Sequence, residues 1–262
     1  MTDLLEMTFL GTGTSLGVPM IGCACAVCRS DDPHNRRRRS SVYVAAGATR
    51  LVIDTSPDFR EQALTFGLRQ VDAVLFTHAH ADHILGLDDI RRFNTLQSAV
   101  IPVYAVAETL EEVRRVFSYI GRPVEPGLYR PQVDFRLVSV RAPFRVGEVE
   151  ITALPVAHGS EYTVGFLLEW QGRRVGYFPD CHRMPEETRQ ALAGVSLMAL
   201  DTLRYRPHPT HLSVAESVAL LQAIGAPHSY LTHLCHDLDH ARLDQELPAG
   251  IHVAYDGLVV RV

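Results

Sequence analysis

Apolar and polar positions alternate along this chain in short blocks. Runs rich in β-branched residues predict strands over 6–10, 41–45, 51–54, 73–76, 101–106, 133–138, 148–154, 163–170, 173–178, 196–200, 229–231, 251–255 and 258–262. Helical spacing predicts helices over 57–66, 83–96, 108–118, 185–192 and 213–224. The last is the best marked: Ser213 can cap it, Glu216 completes a capping box and Gly225 follows its end. Gln171-Gly172 predicts a hairpin turn. Strands occur in both halves with helices after each group. That pattern predicts an α/β domain spanning 1–262, with two sheets face to face and helices outside.

Composition bounds the chemistry. The chain has 262 residues, 47% of them hydrophobic, which suffices for a sizeable core. A net charge of -5 argues against a wide basic surface for duplex nucleic acid. All 25 basic residues are arginine; codon usage in a GC-rich genome accounts for this better than heat resistance or a ligand does. The start, Met1-Thr2-Asp3-Leu4-Leu5-Glu6, lacks the basic residues and apolar centre of a signal peptide. No apolar run approaches the roughly 18 residues of a membrane span. A soluble, cytoplasmic protein without a membrane partner is expected. Five cysteines, three of them between positions 23 and 28, read in a reducing compartment as a metal site before a disulfide framework. Neither an internal repeat nor a low-complexity segment or linker stands out.

Thr77-His78-Ala79-His80-Ala81-Asp82-His83 carries the strongest signal. It directly follows the apolar run Ala73-Val74-Leu75-Phe76. Alternation at a strand end lets His78 and His80 point together, and a helix starting next would project Asp82 and His83 beside them. Four ligands of mixed nitrogen and oxygen type would crowd one tetrahedral ion that also needs an open position, so they suit two. His158, Asp180 and His233 each stand just past a predicted strand end, where loops gather functional groups on a rigid sheet. His158 is expected in a loop with Gly159.

With these residues in that order, nearly the whole chain resembles the metallo-β-lactamase fold superfamily of hydrolases. The resemblance implies a four-layer αββα sandwich and a dinuclear site. One metal would sit on His78, His80 and His158, and the other on Asp82, His83 and His233, with Asp180 bridging. Asp54 matches the family's buried aspartate, which orients a ligand from behind. Two metals a few ångströms apart can share a hydroxide that attacks phosphorus in line. The leaving alkoxide then needs a proton. His211 is the candidate donor and His208 its neighbour and rival, since histidine carries a proton near neutral pH. His211 and Asp82 are the candidate catalytic residues, Asp82 doubling as a ligand.

Cys23-Ala24-Cys25-Ala26-Val27-Cys28 narrows the family. Three thiolates at this spacing can wrap a tetrahedral zinc and leave one ligand to find. His236 is the best fourth ligand; Cys235 is the alternative. Such a closed site would be structural, tying the early loop to the segment that carries His233. With this cluster the chain resembles the PhnP-like phosphodiesterases. The resemblance implies hydrolysis of small cyclic phosphodiesters such as cyclic ribose phosphates or 2′,3′-cyclic nucleotides. It also implies manganese or zinc in the catalytic pair, a structural zinc and a homodimer. Arg36-Arg37-Arg38-Arg39 reads as a phosphate-recruiting rim or, more plainly, as a solvated loop.

Other functions share parts of this pattern. A transfer-RNA 3′-processing nuclease has the same chemistry, but a flexible basic arm is missing here. A lactonase or thioesterase fits the dinuclear site equally well. A non-catalytic carrier, like relatives in pyrroloquinoline quinone biosynthesis, is disfavoured because no expected catalytic position is replaced.

Overall fold

The computed structural model describes residues 4–121 and 129–262. Residues 1–3 of the segment read for a signal peptide lie outside that description. The first sheet contains β1 (Leu5–Gly11), β2 (Ser41–Ala46), β3 (Thr49–Ile53), β4 (Ala73–Leu75), β5 (Ile101–Ala105) and β6 (Val133–Leu137). The second contains β7 (Pro143–Val146), β8 (Val149–His158), β9 (Glu161–Trp170), β10 (Arg173–Phe178), β11 (Leu197–Asp201), β12 (His228–Thr232) and β13 (Ile251–Val253). The last strand, β14 (Val259–Arg261), returns to the first sheet beside β1. The helices are α1 (Phe59–Thr65), α2 (Ala81–Ile84), α3 (Ile90–Gln97), α4 (Ala107–Val116), α5 (Glu186–Ala191), α6 (Val214–Ile224) and α7 (His240–Glu246).

Both sheets are mixed, and helices flank them: this is the expected α/β sandwich. Each sheet begins with antiparallel neighbours and ends with parallel ones. Connection length explains the change, because a hairpin can join only antiparallel strands while a parallel pair needs a crossover. Gln171 and Gly172 both take positive φ, 48° and 76°, and close the predicted hairpin between β9 and β10.

Strand alternation builds three apolar layers. Leu5, Met7 and Phe9 of β1 and Leu51 and Ile53 of β3 face Phe166, Leu168, Val175 and Tyr177 between the sheets. Val52, Val74 and Val103 turn to the other side and pack with Phe59, Phe93, Leu110 and Val113. Met198 and Leu200 of β11 do the same with Leu221 and Leu243. Trp170 is core, its Nε1 donating to Glu148 at 3.3 Å. No helix among the described residues is long and apolar enough to cross a membrane.

Three expectations need correction, and two elements were not foreseen. The predicted helix over 83–96 is broken into α2, a 3-10 turn at Leu87–Asp89 and α3. Gly86 is the reason: its N–H turns aside to Thr55 O at 2.8 Å, and a Cβ there would meet Ser56 O at 2.1 Å. β8 runs through Pro155 and ends on His158, so His158 is a strand residue paired with Glu161 and not part of a loop. Two elements went unpredicted. β7 is a four-residue strand beginning with proline, and α7 is capped by Asp239, which accepts from Arg242 N at 3.0 Å. Lastly, Arg37 is neither rim nor solvated loop. It is 2% exposed and donates to the carbonyls of Cys235 at 3.0 Å and Leu238 at 2.7 Å.

Candidate metal centre

Strand direction sets the site. β3, β4, β10 and β12 all run to the same edge, where their following residues are Asp54, the Thr77 to His83 segment, Asp180 and His233. Open α/β sheets gather ligands outside these carboxyl ends. β8 delivers His158 to the same edge, since β9 reverses between it and β10. Val164 N donates to Thr77 O at 3.0 Å and joins the two sheets just beneath. Asp54 and His233 both adopt left-handed backbone, φ 64° and 60°. Non-glycine residues hold that conformation only where their surroundings fix them, often at functional sites.

The residues that the sequence assigns to two metals come together. His78, His80, His158 and Asp180 offer ligand atoms within 4.8 Å of one another, as do Asp82, His83 and His233. Asp180 reaches both groups: its oxygens lie 3.9 Å from His78 Nε2, 3.5 Å from His158 Nε2, 3.1 Å from His83 Nε2 and 3.5 Å from His233 Nε2. Asp82 Oδ2 is 3.3 Å from His83 Nε2 and 3.7 Å from His233 Nε2.

Hydrogen bonds decide which ring nitrogen each histidine offers. Asp54 Oδ2 accepts from His83 Nδ1 at 2.7 Å and from the Thr77 hydroxyl at 2.9 Å. Having given its proton to Asp54, the Thr77 oxygen accepts from His78 Nδ1 at 3.0 Å. The Thr210 carbonyl can only accept, so His158 Nδ1 donates to it at 2.8 Å. His78, His83 and His158 therefore all turn Nε2 to the centre, the nitrogen left for a metal once the ring is neutral.

The arrangement fits divalent cations. His83 Nε2, His233 Nε2 and Asp180 Oδ1 are buried without a hydrogen-bond partner among the described residues. Orphaned buried polar atoms are costly unless something takes their lone pairs, and a cation does so. Electrostatics agree. Burial pushes His78 well below its ordinary range, with His83 adding to the effect. Burial opposes charge on His83 too, yet the carboxylates of Asp180, Asp82 and Asp54 raise it well above its usual value. Burial would raise Asp180, but His233 and His83 hold it well below the carboxylate range. The donors thus carry concentrated negative potential matched to positive charge.

His211 joins this centre and His208 does not. His211 Nε2 is 4.0 Å from Asp180 Oδ2, the longest of the histidine contacts to that carboxylate, and its ring stacks on His233. It can also group with Asp180 and His233 as a ligand set. Its Nδ1 donates to Asp201 Oδ2 at 2.9 Å. Asp201 is the functional residue that sequence reasoning missed. It ends β11 wholly buried, and its Oδ2 also accepts from Cys181 N at 2.9 Å. A signal existed: Leu197-Met198-Ala199-Leu200 runs into Asp201 as Leu51-Val52-Ile53 runs into Asp54. Burial drives Asp201 up and His211 down. Cys181 is buried and burial pushes its thiol well up, which disfavours the reactive thiolate.

The second cluster also assembles. Cys23, Cys25, Cys28 and His236 offer ligand atoms within 4.8 Å of one another. His236 Nδ1 is 3.3 Å from Cys23 Sγ and 3.4 Å from Cys25 Sγ. Cys235 points elsewhere, accepting from Asp237 N at 3.3 Å. Four such donors suit tetrahedral zinc.

The profile of the Beta-lactamase superfamily domain matches residues 49–234. Among solved structures, the chain is similar to a diphosphatase from the PhnP family, 40% identical, with a TM-score of 0.89 over 98% of this chain and 97% of that one. It is similar to an octanoyltransferase of Porphyromonas gingivalis, 38% identical over 260 residues, which is 97% of this chain and 51% of that protein. The chain thus spans about half the length of that relative. It is also similar to coenzyme PQQ synthesis protein B of Methylobacterium nodulans, 31% identical over 226 residues, 75% of this chain and 72% of that protein.

Proposed function

Because this chain belongs to the Beta-lactamase superfamily and is PhnP-like within it, we propose that it is a metal-dependent phosphodiesterase acting on small phosphate esters, with His211 as proton donor. A metal-dependent hydrolase is the common ground of family and site. The observation that carries the finer reading is the His211–Asp201 pair set beside the ligand cluster. His78, His80, His158 and Asp180 would hold one cation, Asp82, His83 and His233 the other, with Asp180 shared. When bound, such cations neutralise the non-bridging oxygens of a phosphate ester and make water nucleophilic at neutral pH.

The protein's own groups do the rest. Asp54 and Thr77 fix His83 and His78, and the Thr210 carbonyl fixes His158. Asp201 holds His211 Nδ1, leaving Nε2 for the reaction. Burial lowers His211 in the free protein. An anionic ester against Nε2, with Asp201 behind, favours the protonated ring again. In hydrolysis the water oxygen bonds to phosphorus and gives one proton to solvent, the bond to the leaving oxygen breaks, and that oxygen takes the His211 proton, which solvent then restores to the ring.

The chamber supports a small, polar substrate. It measures about 240 Å³, and Ser15, Gly159, Ser160 and Glu161 line it beside the ligand residues. That lining suits phosphate and ribose hydroxyls better than an acyl chain, which disfavours the lactonase and thioesterase readings. Cyclic ribose phosphates and 2′,3′-cyclic nucleotides remain one substrate class. Diphosphates, the class named for the similar PhnP-family protein, are cleaved at a P–O–P anhydride by the same attack of water on phosphorus.

The test uses protein reconstituted with manganese or zinc and assayed on a 2′,3′-cyclic nucleotide and on bis(p-nitrophenyl) phosphate. His211→Ala should keep its metal content and lose roughly 10²- to 10⁴-fold in kcat. Loss of a metal in that variant makes His211 a ligand instead. No turnover from wild-type protein shown to hold two cations overturns the phosphodiesterase reading.

A further inference from the structure

A second cavity, about 300 Å³, adjoins the metal chamber. The two share Ser15 and His211. The metal chamber alone falls short of the roughly 300–1,000 Å³ of small-molecule sites, and the pair falls within that range. Leu203 and Leu16 supply apolar wall to the second cavity, while Arg204, Arg206 and His208 supply donors.

Those donors are held in place. Arg204 gives Nε to the Arg206 carbonyl at 3.2 Å and Nη2 to the Pro207 carbonyl at 2.9 Å. Its guanidinium is thereby fixed, half-buried, and its Nη1 makes no hydrogen bond among the described residues. His208 Nδ1 accepts from Thr210 N at 3.3 Å, so Nε2 carries the proton and is free to donate. Arg206 is exposed and pairs with Asp237, the carboxylate of this cavity, at 3.4 Å. The cavity therefore keeps an uncompensated guanidinium, a group whose fork matches phosphate or carboxylate oxygens.

We infer that this cavity is a leaving-group subsite for an anion, so that the preferred substrate is a linear phosphate ester or diphosphate whose leaving part carries a second negative charge. The inference rests on the phosphodiesterase reading and sharpens it. His211 stands at the junction of the two cavities, where a donor to the leaving oxygen has to stand. A cyclic diester keeps its leaving oxygen tethered within one small ring and leaves the second cavity unfilled. A diphosphate spans both: the attacked phosphorus lies in the metal chamber, and the departing phosphate takes the His211 proton on its bridging oxygen and rests against Arg204.

The experiment compares the metal-loaded enzyme on a dinucleoside diphosphate, a 2′,3′-cyclic nucleotide and bis(p-nitrophenyl) phosphate, whose leaving group has no second anion. Wild type should show its highest kcat/KM on the dinucleoside diphosphate. In Arg204→Ala the ratio of that kcat/KM to the value on bis(p-nitrophenyl) phosphate should fall tenfold or more, mainly through KM. Arg204→Lys should recover part of it, and Arg206→Ala should shift the ratio less. Equal losses on all three substrates, or a cyclic nucleotide preferred regardless of Arg204, overturn the subsite. A separate readout is calorimetric binding of adenosine 5′-(α,β-methylene)diphosphate. If no phosphate ester is turned over, the phosphodiesterase reading fails, while a dissociation constant unchanged by Arg204→Ala independently refutes the subsite.

Discussion

At the scale of single residues, the centre is a set of histidines whose outer nitrogens are spoken for. Asp54, Thr77 and the Thr210 carbonyl each take one Nδ1 proton, and Asp201 takes a fourth. The residues in the Thr77 to His83 motif were legible because their spacing is local and their chemistry unusual. Asp201 was not, because one buried aspartate at a strand end looks structural until a histidine ten residues on is folded back against it. Its role can be measured. Asp201→Asn keeps the volume but removes the charge behind His211, which lowers the affinity of that ring for its proton. We expect kcat to fall roughly 10²-fold or more with KM within a few-fold. The alkaline limb of the pH–kcat profile should move to lower pH, because the protonated ring is lost sooner as pH rises. A variant with an unshifted profile would make Asp201 merely structural.

Among elements, strand runs were read almost throughout because alternation is a short-range property. The misses have local causes too. β7 is too short to show a period, and the helix over 83–96 breaks because Gly86 lies against Ser56, a contact invisible along the chain. The best-signalled element is α6. Its capping box is complete, with Ser213 Oγ and N both donating to Glu216 Oε2 and Glu216 N donating back to Ser213 Oγ at 3.4 Å. Gly225 ends it in left-handed backbone, φ 73°. Ser213→Ala should cost about 1 kcal/mol in denaturant unfolding, and Ser213→Gly only a few tenths. Because Ser217 Oγ also donates to the Asp201 carbonyl at 2.6 Å, fraying of this turn should loosen the His211 support as well. Equal unfolding midpoints for wild type and the alanine variant would rule out the cap as a stabiliser.

For the whole molecule, two sheets converge on one edge, and the cysteine loop is tied to the segment after β12. Leu234 N donates to Thr12 O at 2.8 Å, and buried Arg37 grips the carbonyls of Cys235 and Leu238. Zinc on Cys23, Cys25, Cys28 and His236 would complete that tie. Metal-free, Cys25 is lowered to about 6, first by the Cys28 N–H on its sulfur and then by His236. Burial raises Cys28 to about 11. Only thiolates bind, so at pH 7 zinc must displace the Cys28 proton. Zinc affinity should therefore rise at least tenfold per pH unit above 6, each further thiol that zinc must deprotonate adding to the slope, and more steeply still below 6 as Cys25 also protonates. Competition against a chromophoric chelator at three pH values checks this, and a flat profile contradicts it. By itself the sequence determined the strand pattern, the sandwich class and the identity of nearly every candidate ligand, since alternation and motif spacing are written locally. Only the tertiary structure decided that His236 joins the three thiols and Cys235 does not, that His211 and not His208 meets the ligand cluster, and that Arg37 is interior. Each of those outcomes depends on where separate strands end in space, and burial and hydrogen bonding then decide between readings that the sequence could only rank.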